Sequence, residues 1–444
     1  MSHYKPYPKY KDSGVEWLGE VPEHWKVRPV KHLYNARLGK MVQPQQKSDK
    51  DILVPYHRAQ TVQWERVEYD QVESMWANPA EVVAYSLEEG DLLICEGGDV
   101  CRAAVFNQVE HERVIFQNSI HRVRPLDGNQ PEWLLRLMQH VRSSGWIDVL
   151  CNKNTIVHFT SEKLASLECP HPPPAEQAKI LSTLRRETTR IDALIAKKTR
   201  FIELLKEKRQ ALITHAVTKG LDPNVTMKDS GVEWIGEVPE HWGRRKIAHA
   251  FAFVGSGTTP PTDQKAWYSD TGIPWITTGE LRESVITKTS KYVTTKALET
   301  FSTLRLYPVG SLAIAMYGAT IGRLGILGTP ATTNQACCVI SGEISLRIRF
   351  VYYWLLAFKQ PIIDLFAAGG GQPNINQEVI VTLRVPAPNL AEQSAIAAAI
   401  NRETTLIDAL IAKTQRSIDL LKERRSAFIT AAVTGKIDVI PMDA

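Results

Sequence analysis

The chain has 444 residues, too many for one ordinary core, so two or three domains are expected. Its 43% hydrophobic and 23% charged residues are those of a soluble globular protein, and a net charge of +5 permits a nucleic-acid partner without demonstrating one. The opening MSHYKPYPKYKDSG lacks the apolar stretch of a secretory signal, the apolar run 350–358 is too short for a bilayer, and six cysteines without a C-x-x-C pair argue against zinc or a disulfide framework, so a cytoplasmic protein with reduced thiols is expected.

The first recognisable element is KDSGVEWLGEVPEHW at 11–25. It recurs at 228–242 with one change, Leu18 against Ile235. Farther on, residues 169–222 align without a gap to 385–438, with 31 of 54 positions identical. The chain is therefore two copies of one unit of roughly 215 residues, with constant frames around blocks at 26–168 and 243–384 that barely match.

Each variable block is long enough for a domain of its own. The first mixes the β-rich LLICE (92–96) with a helical PEWLLRLMQHV (131–141). The second mixes SLAIAMY (311–317) and QACCVIS (335–341) with RFVYYWLLAF (349–358), so both blocks predict mixed α/β domains. A faint skeleton is shared: VPYHRAQTVQW, EGGDVCRAAVF and FQNSIHRVRP in the first block answer IPWITTGEL, MYGATIGRLGIL and TNQACCVI in the second.

The loops of these blocks carry Gln, Asn, Arg, Lys and Thr with interleaved aromatics. Carboxamides can bond adenine bidentately, Arg and Lys can bond guanine, and glycine admits close backbone approach. In the first block the candidate contacts are Lys40, Gln43, Gln45, Gln46, Lys47, Arg58, Gln60, Gln63, Gly97, Gly98, Arg102, Lys153 and Asn154. In the second they are Thr258, Thr259, Thr277, Thr278, Tyr317, Gly318, Thr320, Arg323, Gln372, Asn374 and Asn376.

The long repeats read as helices. HPPPAEQ and APNLAEQ open them, and Gly220 and Gly435 stand where a left-handed cap would close them. The apolar positions are Ile180, Leu184, Ile191, Ile195, Ile202, Leu205 and Leu212 in the first, and Ile396, Ile400, Ile407, Ile411, Ile418, Leu421 and Phe428 in the second. So narrow a stripe needs a partner, and the other copy is the nearest one, which predicts two long antiparallel helices in an intramolecular coiled coil with pseudo-two-fold symmetry. The C-terminal helix should then end near the N-terminus. The expected division is 1–168, 169–222, 223–384 and 385–444.

Motifs for catalysis are weak. Phe253–Gly257 matches F-x-G-x-G, but Thr258-Thr259-Pro260-Pro261 follows where an S-adenosylmethionine binder needs a helix, and there is no P-loop. His24 and His241 belong to the repeated frame, where a structural role is expected. A protein-binding adaptor would share the helices but leave two divergent polar-loop domains unexplained.

The layout resembles the specificity (S) subunit of Type I restriction–modification systems. The resemblance rests on K-D-S-G-V-x-W-x-G-x-V-P-x-H-W at 11–25 and 228–242, on AEQ-initiated helices with E-T-T-x-I-D-A-L-I-A-K at 187–197 and 403–413, and on the EGGDVCRAAVF…FQNSIHRVRP run. Cys101 departs from it, standing where the family often has glycine before the arginine. The resemblance implies two target-recognition domains, each reading half of an interrupted, asymmetric double-stranded DNA site. It implies helices that set the gap and dock two modification (M) subunits, restriction (R) subunits beyond them, and no catalytic residue or cofactor in this chain. S-adenosylmethionine, ATP and Mg would belong to the partners, and no membrane is involved.

Overall fold

The computed structural model describes residues 4–107, 113–151, 158–367 and 374–439. The chain forms two compact units, residues 1–199 with 415–444, and residues 200–414. Each unit holds one variable block, one copy of the short frame and half of each long helix. Among the described residues no helix is long and apolar enough to cross a membrane.

In the first unit the central sheet is antiparallel, in the order Ala103–Val105, Leu92–Cys95, Ile120–Pro125, Tyr34–Leu38. A second sheet joins Ile115–Phe116, Ile52–His57 and Glu73–Ala77. The helix Pro131–Ser143 packs Trp133, Leu134, Leu137 and Met138 into the core beneath the central sheet. The second unit repeats this plan with Phe251–Ser256, Cys337–Glu343, Leu312–Ala315, Leu324–Leu327 and Ser284–Ile286, the last pair parallel. Its helix Ile348–Ala357 buries Phe350, Val351 and Trp354.

The constant frame is a clamp. Residues 11–25 form a hairpin from Tyr10–Asp12 and Glu20–Pro22, with Gly14 and Gly19 at positive φ. It delivers Trp25, fully buried, onto the edge of Trp133 at 5.8 Å. Trp25 Nε1 donates to Glu176 Oε1 at 2.9 Å, and His24 Nε2 meets Oε2 of the same carboxylate at 2.8 Å. In the second unit Trp242 donates to Glu392 at 2.9 Å, His241 lies 3.0 Å from it, and Trp242 packs edge-on to Phe350. Both histidines are thus tied into the frame. The glutamine after each glutamate is fully buried: Gln177 accepts from Gln130 N and Gln393 from Arg347 N, the residues that precede the two domain helices.

The long helices run Pro174–Lys219 and Leu390–Val433, each close to 70 Å at ~1.5 Å per residue. Gly220 and Gly435 follow their ends at φ 76° and 70°. In the first unit Ile180, Leu181 and Leu184 share a core with Phe428, Ile429, Ala432 and Val433, while Asp192 pairs with Arg425 at 2.9 Å, so the helices are antiparallel. The second unit exchanges the roles: Ile396, Ala397 and Ile400 share a core with Ile213, Ala216 and Val217, and Arg209 pairs with Asp408 at 3.0 Å.

The stripe serves two kinds of packing along its length. Ile180, Leu184, Ile396, Ile400 and Phe428 are core residues of the recognition units as much as helix-pairing residues. The seam proper holds Ile191, Ile202, Leu205, Ile407 and Ile418 buried, with Ile195, Leu212, Ile411 and Leu421 half-buried. Between them the heptad includes buried Thr188 and Thr404, whose hydroxyls bond back to Leu184 O and Ile400 O at 2.8 Å. The chain ends meet as expected: Lys5 bridges Asp438, and the Tyr4 and Phe428 rings lie 5.3 Å apart.

Candidate nucleic-acid interface

In each unit the described loops that carry polar candidates converge at one end of the sheets. In the first unit the strands Tyr34–Leu38, Ile52–His57 and Leu92–Cys95 all finish there, and Ile120–Pro125 begins there. Backbone bonds knit the loops: Gln117 N to His57 O, Asn118 N to Lys40 O, Glu96 N to Ser119 O and Phe159 N to Glu96 O. The second unit reproduces the pattern with Asn334 N to Ile276 O, Thr258 N to Thr333 O, Met316 N to Ala336 O and Ile375 N to Met316 O. Two unlike sequences therefore build one loop cluster.

The candidates divide by what holds them. Gln45, Gln46, Lys47, Gln60 and Gly98 are exposed, and Gln63 is half-buried with its amide on Gln60 O. Lys40 is buried, its ammonium 2.7 Å from Glu81 and 3.3 Å from Gln43. Gln43 is buried too and donates to Asp51, whose carboxyl is held below the usual range by the Lys47 N–H, the Gln43 amide and the Ser48 N–H. These two side chains brace the loop 40–51 from inside, because an apolar-looking strand end hides an internal ion pair that sequence does not announce. Arg58 is paired with Glu73 at 2.7 Å, and Arg102 donates to Ala59 O at 2.7 Å, pinning the 58–63 segment.

In the second unit Thr258 donates to Thr303, Thr259 meets Gln335, Thr277 shares the Glu280 carboxylate and Thr320 donates to Tyr317 O. Tyr317 is 40% exposed and bridges Asn374. Asn376 caps a short helix by accepting from Val379 N, which gives it a local structural task. Thr278, Gly318 and Arg323 are half-buried at the same end. Lys153, Asn154 and Gln372 lie outside the described residues.

Gly98 and Gly318 sit at φ 74° and 65°, a backbone conformation that favours glycine, with open space around them. Close approach occurs at Gly39 and Gly257, where a Cβ would fall 2.2 Å from Gln117 O and 2.1 Å from Thr333 O. Cys101, the departure noted in the sequence, has φ 71°, and Gly322 before Arg323 has the same value. Its thiol is buried against Met138, and burial pushes it well above the ordinary thiol range. All six cysteines are free and buried.

Sequence reasoning missed Glu65. It sits at φ 63° and gathers Arg136 at 2.9 Å, Gln139 at 2.6 Å and Arg425 at 2.6 Å. Its counterpart Glu283, at φ 53°, holds Lys359 at 3.1 Å. A glutamate inside a polar run offered no signal that it was internal. Beside Glu65 a cleft of about 640 Å³ opens between the recognition domain and the helix pair, lined among others by Trp64, His140, Arg142, Asp192 and Arg425.

Two globular α/β domains with divergent loop clusters, mounted on repeated helices, define a two-domain recognition protein. The sequence profile of the Type I restriction modification DNA specificity domain matches residues 22–204 and again 239–419, and the chain belongs to this family as a DNA specificity subunit with two target-recognition domains. It is similar to a type I restriction enzyme MjaX specificity subunit of Methanocaldococcus jannaschii, 24% identical over 433 residues, which spans 95% of this chain and 96% of that protein. The EcoR124I/EcoR124II specificity subunit of Escherichia coli is 23% identical over 270 residues, 60% of this chain and 61% of that one. Among solved structures, a chain from the assembly of a type I R-M system superposes with a TM-score of 0.75 at 13% identity, covering 93% of this chain and 98% of its own. The HsdS subunit from Thermoanaerobacter tengcongensis gives 0.56 at 12%, covering 94% and 98%, so both share the fold.

Proposed function

We propose that each recognition domain reads one half of an interrupted DNA site, and that the helices fix the gap and carry two modification subunits that hold the methyltransferase chemistry. The observation that carries this is the contrast within each unit. The clamp of Trp25, His24 and Glu176 is repeated contact for contact by Trp242, His241 and Glu392, whereas the loop clusters differ residue by residue. One scaffold holding unlike faces suits a target with unlike halves. Arg, Lys and the loop N–H groups would neutralise phosphates, making affinity fall with salt.

The docking role is supported by the helices' outer faces. Leu194 and its counterpart Leu410 are 41% and 46% exposed, and Leu204 and Leu420 are 46% and 60% exposed. Exposed leucines at matched positions of two repeats fit two copies of one partner. Restriction subunits would join that complex, and S-adenosylmethionine, ATP and Mg would bind the partners.

Inserting one heptad into each long helix at equivalent positions tests the spacing role. Seven residues lengthen a helix by about 10 Å, roughly three base pairs of duplex. The methylated motif should keep both halves and gain a gap of two to three base pairs, to that order. An unchanged gap would refute the role of the helices as the ruler.

A further inference from the structure

We infer that one matched turn in each recognition domain, Gln117–Ile120 and Asn334–Cys337, is the base-reading tip, and that each reads an A·T pair. The inference rests on the reading of the chain as a two-headed DNA-recognition subunit and assigns residues within it.

Both turns close alike. Ile120 N donates to Gln117 O at 3.0 Å, and Cys337 N donates to Asn334 O at 3.2 Å. Each is held against the end of the first strand of its sheet: Gly39 N bonds Ile120 O and Gly257 N bonds Cys337 O, both at 3.1 Å. This is where the two glycines approach too closely for any side chain. The fold thus places both turns at the centre of their loop clusters with the same geometry.

Their chemistry also matches although the domains have diverged. Each opens with two successive carboxamides, Gln117-Asn118 and Asn334-Gln335. Asn118 is half-buried, and its side chain has no hydrogen bond among the described residues. Gln335 is exposed, its side-chain oxygen lies beside the Thr259 hydroxyl, and its NH₂ group has no hydrogen bond among the described residues. In the same loop cluster Thr333 Oγ1, Asn334 Oδ1 and Asn374 Oδ1 are buried and have no hydrogen-bond partner among the described residues. Buried polar atoms are normally satisfied, so unpartnered oxygens on this turn and its neighbours leave acceptors open to a ligand or to ordered water. A carboxamide offers one acceptor and one donor side by side, the complement of adenine N6 and N7 in the major groove. Identical chemistry on unlike domains fits a base pair common to both halves.

The test uses the full chain assembled with its modification subunits. The probes are duplexes carrying the bipartite target with each base pair replaced in turn. The wild-type complex should bind each A·T substitution roughly ten- to a hundredfold more weakly. Gln335→Ala should abolish that penalty at one A·T position of one half-site and leave the other half intact. Asn118→Ala should do the same in the other half. Gln335 and Asn118 are chosen because neither side chain is fully buried and neither carries the backbone bond that closes its turn. Full retention of every penalty, or an equal loss on all duplexes including unrelated ones, would overturn the assignment in favour of a structural or phosphate-binding turn. A wild-type complex without sequence preference would instead sink the underlying reading.

Discussion

Arg425 stands between two carboxylates, with Nε 2.9 Å from Asp192 on the other long helix and Nη2 2.6 Å from Glu65 in the first recognition domain. Its counterpart Arg209 reaches Asp408, and no ion pair to Glu283 accompanies it among the described residues. Arg425 thus joins a recognition hairpin to the seam, which Arg209 does not. Arg425→Ala should lower stability by about 1–3 kcal/mol, mainly by leaving the half-buried Glu65 carboxylate undercompensated. Arg209→Ala, at a more exposed pair, should cost about 0.5 kcal/mol. Urea midpoints of the two variants read the difference, and equal shifts would contradict the asymmetry.

A second asymmetry lies in the frames. Glu176 accepts from Trp25, His24 and also Tyr7, at 2.9 Å, whereas Glu392 serves Trp242 and His241. Burial, and then the Glu176 carboxylate, push the Tyr7 phenol far above its usual range. Glu176→Ala strands two buried donors, Trp25 and Tyr7, and should cost about 2–5 kcal/mol, whereas Glu392→Ala strands one, Trp242, and should cost about 1–3 kcal/mol. Thermal melts of the two variants compare them directly.

The acid limb of stability should begin near neutrality. Burial lowers His57 to about 4 and also lowers His121, His140 and His171. His57 stays neutral when folded but takes a proton near 6.5 when unfolded, so stability falls as pH drops from 6.5 toward 4, by about 3 kcal/mol for this group. Glu65 acts lower down: burial raises it, Arg136 and Arg425 outweigh burial, and its contribution is lost only below the ordinary carboxylate range. His57→Asn should flatten the slope of stability between pH 4 and 6.5, measured by urea titration at each pH. An unchanged slope would assign it to the other histidines.

The seam is tested at its buried centre. Ile191 and Ile407 are 5% and 6% exposed at equivalent positions. Aspartate at both buries unpaired charge and should cost several kcal/mol, on the order of 3 or more each. Loss of folding, or of assembly with modification subunits, is the expected result on size-exclusion chromatography. A normally assembled complex would count against helix pairing.

The duplication, the long helices with their glycine caps and the mixed α/β blocks were legible because they rest on identity and periodicity. The division of labour along the helices was not. Ile180 and Leu184 obey the same spacing as Ile191 and Ile202, yet they enter a domain core, because periodicity names a face and not its partner. Thr188 and Arg209 belong to the seam but are polar, so an apolar pattern skips them. Lys40 and Gln43 resemble surface groups until Glu81 and Asp51 are seen beneath them. Cys101 takes the backbone angle of Gly322, a strain that a cysteine cannot signal in sequence.

The most direct measurement is the methylome of a host carrying the chain and its modification subunits, read before and after residues 26–168 are exchanged for the same block of a relative. The account predicts one bipartite motif with unlike halves, of which the exchange alters one half and leaves the other half and the gap unchanged. A continuous motif, or a change in both halves, would contradict it.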